Sequence, residues 1–151
     1  MPSRLLTDPT VRAWARLLKA QKLLLEGVQQ ALAEAELPPL EWYDVLIELK
    51  TAPEQRLRLF DLGERMLLSR SNLTRLIDRL EKEDLVLRDH CAEDRRGLYA
   101  VLTPAGLALQ KRMWPVYQQA IRQLFGRHFS ADEANTMANW LERLTGAETG
   151  H

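Results

Sequence analysis

The segment SNLTRLIDRLEKEDLVLRDHCAEDRRGLYAVLT, from Ser71 to Thr103, constrains the fold more than any other part of the chain. Its first part places apolar residues at helical spacing up to Asp84, which predicts an amphipathic helix. Two alternating stretches, 85–89 and 98–103, follow on either side of a charged tip and predict the strands of a β-hairpin. The segment should therefore fold as a helix followed by a hairpin, with arginines on both parts.

Helices are also predicted on both sides of this segment. Asp8-Pro9 has the pattern of an N-cap and a first helical residue, and the apolar stripe that follows ends at Pro38-Pro39. The stripe predicts a helix of about 25 residues. The other predicted helices lie around 41–50, after a capping-box pattern at Asp61–Glu64, from Thr103-Pro104 to about Gly126, and after a second capping-box pattern at Ser130–Glu133; a short alternating piece, RLRLF, follows Pro53.

The expected fold class is therefore mainly α with a small β-hairpin. The long terminal helices carry more apolar residues than the rest of such a small chain can cover, including Trp114, Ile121 and Phe125. These helices either cover one another within a monomer or join two chains into a dimer. We expect the dimer, because stripes of this length exceed what one small core needs.

Charge and cysteine content limit the function. The net charge is zero, so the whole-molecule field does not indicate a nucleic-acid partner, but residues 56–96 hold nine of the sixteen arginines together with nine acids. A basic surface there must come from geometry. Cys91 is the single cysteine, which excludes an intrachain disulfide and favours a cytoplasmic location. We find no pattern of a secretory signal or a membrane span.

The predicted helix from Ser69 to about Glu83 has two contrasting faces. Leu73, Leu76, Ile77 and Leu80 form an apolar side that should face the core. The opposite side is small and polar in its first half, which suits entry into a DNA major groove about 12 Å wide. Arg75 can contact guanine, Asn72 can contact adenine, and Ser69, Ser71 and the helix N-terminus can bind a phosphate, with Thr74 and Arg79 on the same surface.

A solvated surface helix would show a similar charged face, so the neighbouring elements matter. A preceding helix joined by a tight turn at Leu68-Ser69 completes a helix-turn-helix. The hairpin tip AEDRRG is either a polar turn or an arginine arm that reaches the adjacent minor groove. In the second case, Asp94 would hold a neighbouring arginine by a charge-assisted hydrogen bond.

The stretch LFDLGERMLLSRSNLTRLIDRLEKEDLVLRDHCAEDRRGLYAVLTPAG, Leu59–Gly106, resembles the winged helix-turn-helix of the MarR family of bacterial transcriptional regulators. The resemblance implies an obligate homodimer whose terminal helices interlock. It implies that Ser69–Arg79, including Arg70, lies in the major groove. It also implies that Asp94 and Arg96 shape the wing, with Arg96 entering the minor groove and Arg95 beside it.

Two positions depart from the family pattern. Asp84 stands where the family has glycine after the recognition helix, and aspartate tolerates the left-handed backbone conformation better than most residues. The wing lacks the usual proline near Cys91-Ala92, so the geometry of its tip stays open.

Small aromatic or anionic molecules bind many relatives near the junction of dimer helices and DNA-binding lobe, and Trp14, Trp42, Tyr43 and Trp114 are the candidates here to line such an effector pocket. Aromatic residues at helical spacing also serve as plain core. His90, His128 and His151 are scattered and form no recognised metal set. No catalytic set or phosphate loop is visible, so we expect neither an enzyme nor a cofactor.

The sequence predicts a homodimeric repressor that binds a pseudo-palindromic operator in double-stranded DNA and is released by an effector. The predicted division is a dimerisation helix at 1–35, a DNA-binding lobe at 36–103 and dimerisation helices at 104–151. Two alternatives remain at this point: a winged-helix protein-interaction module that does not bind DNA, and an oxidant sensor that uses the thiol of Cys91.

Overall fold

The computed structural model describes residues 7–90 and 97–146 of the chain. Its helices are α1 (Pro9–Glu34), α2 (Leu40–Thr51), α3 (Leu59–Met66), α4 (Arg70–Lys82), α5 (Pro104–Leu124) and α6 (Ala131–Thr145), and its strands are β1 (Arg56–Arg58), β2 (Val86–His90) and β3 (Leu98–Leu102). Short 3-10 helices lie at Pro53–Gln55 and Gly126–His128. The expectation of a mainly helical fold with a small β element is confirmed.

The chain divides into two compact units. One is formed by residues 32–116 and the other by the described residues among 1–31 and 117–151. Within the described part of the chain, none of the helices is both long and apolar enough to cross a membrane.

The core of the 32–116 unit is built where α2, α3 and α4 meet the sheet. The apolar face predicted for α4 is confirmed, because each of its four leucine and isoleucine side chains is at most 5% exposed. Fully buried partners come from the neighbouring elements: Leu46, Leu49, Leu62, Val86 and Met113. Since burying one such side chain contributes about 1.5–3 kcal/mol, this core fixes the orientation of α4.

The sheet has three antiparallel strands in the order β1-β3-β2. The predicted hairpin is confirmed by the pairing of β2 with β3, in which Val86 lies opposite Leu102 and His90 opposite Leu98. The alternating piece RLRLF supplies β1, whose Leu57 lies opposite Ala100 on β3. The hairpin is therefore anchored to the segment that leads into α3.

The polar caps explain where the helices begin. Ser69 caps α4, because its Oγ accepts a hydrogen bond from the backbone N–H of Asn72 at 3.2 Å. Ser130 and Glu133 form the predicted capping box of α6. The capping box predicted at Asp61–Glu64 is wrong: the N-cap of α3 is Arg58, three residues before Asp61, and it provides no side-chain cap. The chain passes directly from β1 into α3, which places Asp61 inside the first turn.

The turn after α4 is fixed by contacts to the start of α5. Asp84 has a φ of 59°, and the N–H groups of Asp84 and Leu85 donate to the carbonyls of Glu81 and Leu80, both at 2.9 Å. This is the Schellman pattern in which glycine is common. A Cβ on Gly106 would lie 2.2 Å from the Leu85 carbonyl oxygen, so the close approach of α5 requires glycine there.

The second unit leaves many apolar side chains exposed. No residue of α6 is buried, although the helix carries Trp140 and Leu144, which are 57% and 71% exposed. The other large exposed apolar side chains of this unit are Trp14, Leu17, Leu18, Leu23, Leu25, Leu124, Phe129 and Leu141.

Candidate nucleic-acid interface

The outer face of α4 carries the side chains that are predicted from the sequence to contact DNA. Ser71, Asn72, Thr74, Arg75 and Arg79 are all exposed, as are Ser69 and Arg70 at its start. The face therefore has small polar groups in its first half and guanidinium groups that reach outward. A face of this kind can enter a major groove without a steric barrier.

Hydrogen bonds within α4 orient several of these groups. The hydroxyls of Ser69 and Ser71 lie 3.3 Å apart. Thr74 Oγ1 donates to the carbonyl of Arg70 at 2.9 Å, so this hydroxyl can only accept from a base or a bridging water. Arg79 Nη1 lies 3.8 Å from Glu41 Oε1, which gives this arginine a carboxylate partner on α2.

Arg88 on β2 joins the hairpin to α4 through two carboxylates. Its Nη1 donates to Glu81 Oε1 at 2.7 Å and its Nη2 donates to Asp78 Oδ1. The Arg88 backbone N–H also donates to Glu81 Oε2 at 3.0 Å. Burial opposes the charge of the guanidinium, but the hydrogen bonds to Asp78 and Glu81 outweigh it and raise the pKa of Arg88. The contact fixes the base of the hairpin against the helix.

Sequence reasoning missed the role of Arg88. The signal was present: Asp78 and Glu81 are three residues apart and share one flank of the helix, and a strand arginine follows within ten residues. That pattern alone does not say that the strand returns to that flank.

A second cluster of arginines lies on the sheet around Tyr99. The guanidinium carbon of Arg56 is 4.3 Å from the Tyr99 ring centroid, and that of Arg58 is 5.7 Å away. Arg58 Nε donates to the Tyr99 hydroxyl at 3.2 Å. Arg56 Nη2 pairs with Asp89 Oδ2 at 3.1 Å. These contacts bring two guanidinium groups to one tyrosine ring across two adjacent strands.

The residues predicted for the wing tip, Asp94, Arg95 and Arg96, lie outside the described residues, as does Cys91. The strands that lead to the tip end at His90 and begin again at Leu98.

The structure brings together two of the four predicted pocket residues. The rings of Tyr43 and Trp114 are stacked, with centroids 6.1 Å apart and an interplanar angle of 18°. Beside them, Gln110 is 2% exposed; its Nε2 donates to the Tyr43 hydroxyl at 3.4 Å, and its Oε1 has no hydrogen-bond donor within the described residues. Trp42 is partly exposed. Trp14 belongs to the other unit and is 62% exposed.

Two of three neighbouring acids on α2 pair with arginines of the helix-turn-helix. Glu48 Oε2 pairs with Arg65 Nη1 of α3 at 3.3 Å, and Glu41 pairs with Arg79 of α4. Asp44 lies between them in sequence, and burial, followed by the charges of Glu48 and Glu41, raises the pKa of Asp44 to about 6. Among the described residues, no group of histidine, cysteine and acidic side chains could hold a metal ion.

Residues 40–98 match the sequence model of the MarR family. Over 128 residues the chain is 29% identical to the homoprotocatechuate degradative operon repressor of Escherichia coli, a match that covers 85% of this chain and 84% of the relative. AbsC, a MarR family transcriptional regulator from Streptomyces coelicolor, has the same fold with a TM-score of 0.85 and 29% identity, over 96% of this chain and 97% of AbsC.

A second regulator from Streptomyces coelicolor, Sco3205, has a structure in complex with DNA. It matches with a TM-score of 0.83 and 27% identity, over 89% of this chain and 84% of Sco3205. The sequence match, the shared fold and the exposed polar face of α4 agree, and the chain belongs to the MarR family of winged helix-turn-helix transcriptional regulators, which bind DNA and are not enzymes.

Proposed function

We propose that the chain acts as a homodimeric repressor in which α4 is the recognition helix that reads the major groove of a pseudo-palindromic operator. The observation that carries this proposal is the outer face of α4, where Arg75, Asn72 and Ser71 are exposed while the opposite face is locked in the core. A rigidly held helix can present base-reading groups in one register. Sco3205, which shares the fold, has been seen in complex with DNA.

Within this proposal, residues of α4 divide into two roles. Arg75 and Asn72 contact base edges, and Ser69, Arg70, Ser71, Thr74 and Arg79 contact the backbone or adjacent bases. Asp94, Arg95 and Arg96 form the wing tip that reaches the flanking minor groove. A dimer places two recognition helices in successive major grooves about 34–36 Å apart, which predicts operator half-sites one helical turn apart.

The dimer is supported by the exposed apolar side chains of the terminal helices. A monomer seldom leaves a helix such as α6 with no buried residue and several exposed large apolar side chains. A second copy of the chain would cover them and fix the distance between the recognition helices.

Two further observations support the proposal that the chain is a repressor and that a ligand releases it from DNA. The Escherichia coli relative is a repressor of an operon for the degradation of homoprotocatechuate, an aromatic acid. In this chain, the stacked rings of Tyr43 and Trp114 lie beside Gln110, whose buried amide has a partner at only one end among the described residues. An aromatic ligand with a hydroxyl or acid group could satisfy the other end and favour a dimer whose helices no longer match the operator.

Binding to the upstream DNA of the gene, followed by fluorescence anisotropy, tests the proposal. Arg75→Ala should cost roughly 1–3 kcal/mol and relax the preference at one base pair per half-site. Arg112→Ala, an exposed arginine on α5, is the matched control and should bind as the wild type does. Equal binding by the wild type and Arg75→Ala at a mapped operator would refute the assignment of α4 to the major groove.

A further inference from the structure

A cavity of about 440 Å³ opens between the recognition helix and the base of the wing. Its walls come from the end of β1, from α3 and the turn that follows it, from the first half of α4 and from the start of β3, all within the 32–116 unit. Among the described residues that line it, Arg58 and Arg70 are the cationic side chains and Glu64 is the single acid. Two guanidinium groups against one carboxylate give the cavity a preference for an anion.

Arg58 is held in place on the wall of this cavity. Its Nε donates to the Tyr99 hydroxyl at 3.2 Å, and the guanidinium carbon of Arg56 lies 4.3 Å from the centroid of the same ring. A restrained arginine loses less side-chain entropy when it binds an anion than one that projects into solvent. Thr74 also lines the cavity, but its hydroxyl already donates to Arg70, so the donors for an anion come from the guanidinium groups.

The position of the cavity identifies the anion. When α4 lies in a major groove and the wing beyond Gly97 enters the neighbouring minor groove, the DNA strand that separates the two grooves must pass between these elements. The cavity is bounded by both of them, through Arg70 and Thr74 on α4 and through Gly97 and Leu98 at the base of the wing. We infer that this cavity receives a phosphodiester group of that strand, with Arg58 and Arg70 as its cationic ligands.

The inference rests on the proposed function and adds Arg58, a residue that lies before the helix-turn-helix, to the DNA interface. A phosphate contact of this kind sets the angle between the recognition helix and the backbone without reading sequence. Loss of Arg58 should therefore weaken binding alike on all sequences, whereas loss of Arg75 should also change the base preference.

The first test measures operator affinity against salt concentration for Arg58→Gln, Arg58→Lys and the control Arg112→Gln. A contact in each half-site predicts that Arg58→Gln reduces the slope of log K against log salt by roughly 2 and weakens binding on the order of tenfold, alike on all operator sequences. Arg58→Lys should keep most of the slope, and Arg112→Gln should keep all of it. Circular dichroism confirms that each variant is folded.

The second test begins with the wild type and changes the DNA. Single phosphates of the operator are replaced by neutral methylphosphonates, and the wild type should lose affinity most at one position per half-site, on the strand between the α4 groove and the flanking minor groove. Arg58→Gln should lose little further at that position.

The inference is overturned if the salt slopes of the wild type and Arg58→Gln agree, or if no phosphate position distinguishes them. It is equally overturned if benzoate binds the wild type but not Arg58→Gln while the slopes agree, because the cavity then serves a small anion. If Arg75→Ala bound the operator as tightly as the wild type, the proposed function would be refuted instead, so the two failures are distinguishable.

Discussion

Two non-glycine residues end α3 and α4 in the left-handed backbone region. Leu67 has a φ of 56° and a side chain that is 90% exposed, and Asp84 has a φ of 59°. A residue with a Cβ costs about 1–2 kcal/mol in this region, and aspartate is better tolerated there than leucine. The turn of the helix-turn-helix therefore keeps its geometry at a cost to stability.

Leu67→Gly should raise the free energy of unfolding by about 1 kcal/mol, because it relieves the strain and removes almost no buried surface. Leu67→Ala removes the same exposed side chain but keeps a Cβ, so it is the control and should give no such gain. Urea unfolding measures both. A Leu67→Gly chain no more stable than Leu67→Ala would show that the left-handed residue is not strained.

The carboxyl of Asp44 makes stability depend on pH. Its pKa is raised from 3.8 to about 6 by burial and by Glu48 and Glu41, so the folded chain binds a proton that the unfolded chain has released. The stabilising effect of that proton is complete below pH 3.8 and is lost as pH rises through about 6.

Asp44→Asn should therefore be more stable than the wild type at pH 8, by about 1 kcal/mol, since part of the group is in water and its charge is screened. The difference should shrink towards pH 4. Urea unfolding at pH 4.5, 6 and 8 gives the comparison. A difference that is constant over this range would contradict the raised pKa of Asp44.

At the scale of elements, the contact between α4 and the hairpin depends on Arg88. Its guanidinium side chain is 22% exposed and holds Asp78 and Glu81 at once. Arg88→Gln should destabilise the chain by roughly 1–3 kcal/mol, because two carboxylates lose their partner. It should also weaken protection of the flanking minor groove in a hydroxyl-radical footprint, while the major-groove contacts of α4 persist.

Arg56→Gln is the control for Arg88→Gln, since Arg56 pairs with one carboxylate, Asp89, which is 53% exposed. Its effect on stability should be a fraction of that of Arg88→Gln. If both variants give the same footprint as the wild type, Arg88 does not position the wing.

The features that the sequence predicted and those that it missed differ in how far apart along the chain the contacting residues lie. The Ser69 cap, the apolar face of α4 and the β2–β3 hairpin follow from neighbouring residues, and all three are confirmed. The pairing of β1 with β3 and the contact of Arg79 with Glu41 join residues about 40 apart, which no local pattern specifies. The start of α3 was missed for the same reason, because β1 pairing carries the strand up to Arg58.

At the scale of the whole molecule, operator binding as proposed requires a dimer formed by the terminal helices. The chain should sediment with the mass of two copies at micromolar concentration. Leu144→Asp, which places a charge among the exposed apolar side chains of α6, should shift it towards one copy. Leu67→Asp changes an exposed leucine of the 32–116 unit and should leave the mass unchanged. A wild type that sediments as a single chain would contradict the dimer.

Dimethyl sulfate protection of the operator shows whether α4 reads the major groove, because the reagent methylates guanine N7 in that groove, where Arg75 should lie. We expect protected guanines in both half-sites, about one helical turn apart, and loss of that protection in Arg75→Ala at saturating protein. Guanines that stay reactive under the wild-type dimer, or protection that Arg75→Ala retains in full, would contradict the assignment of α4 to that groove.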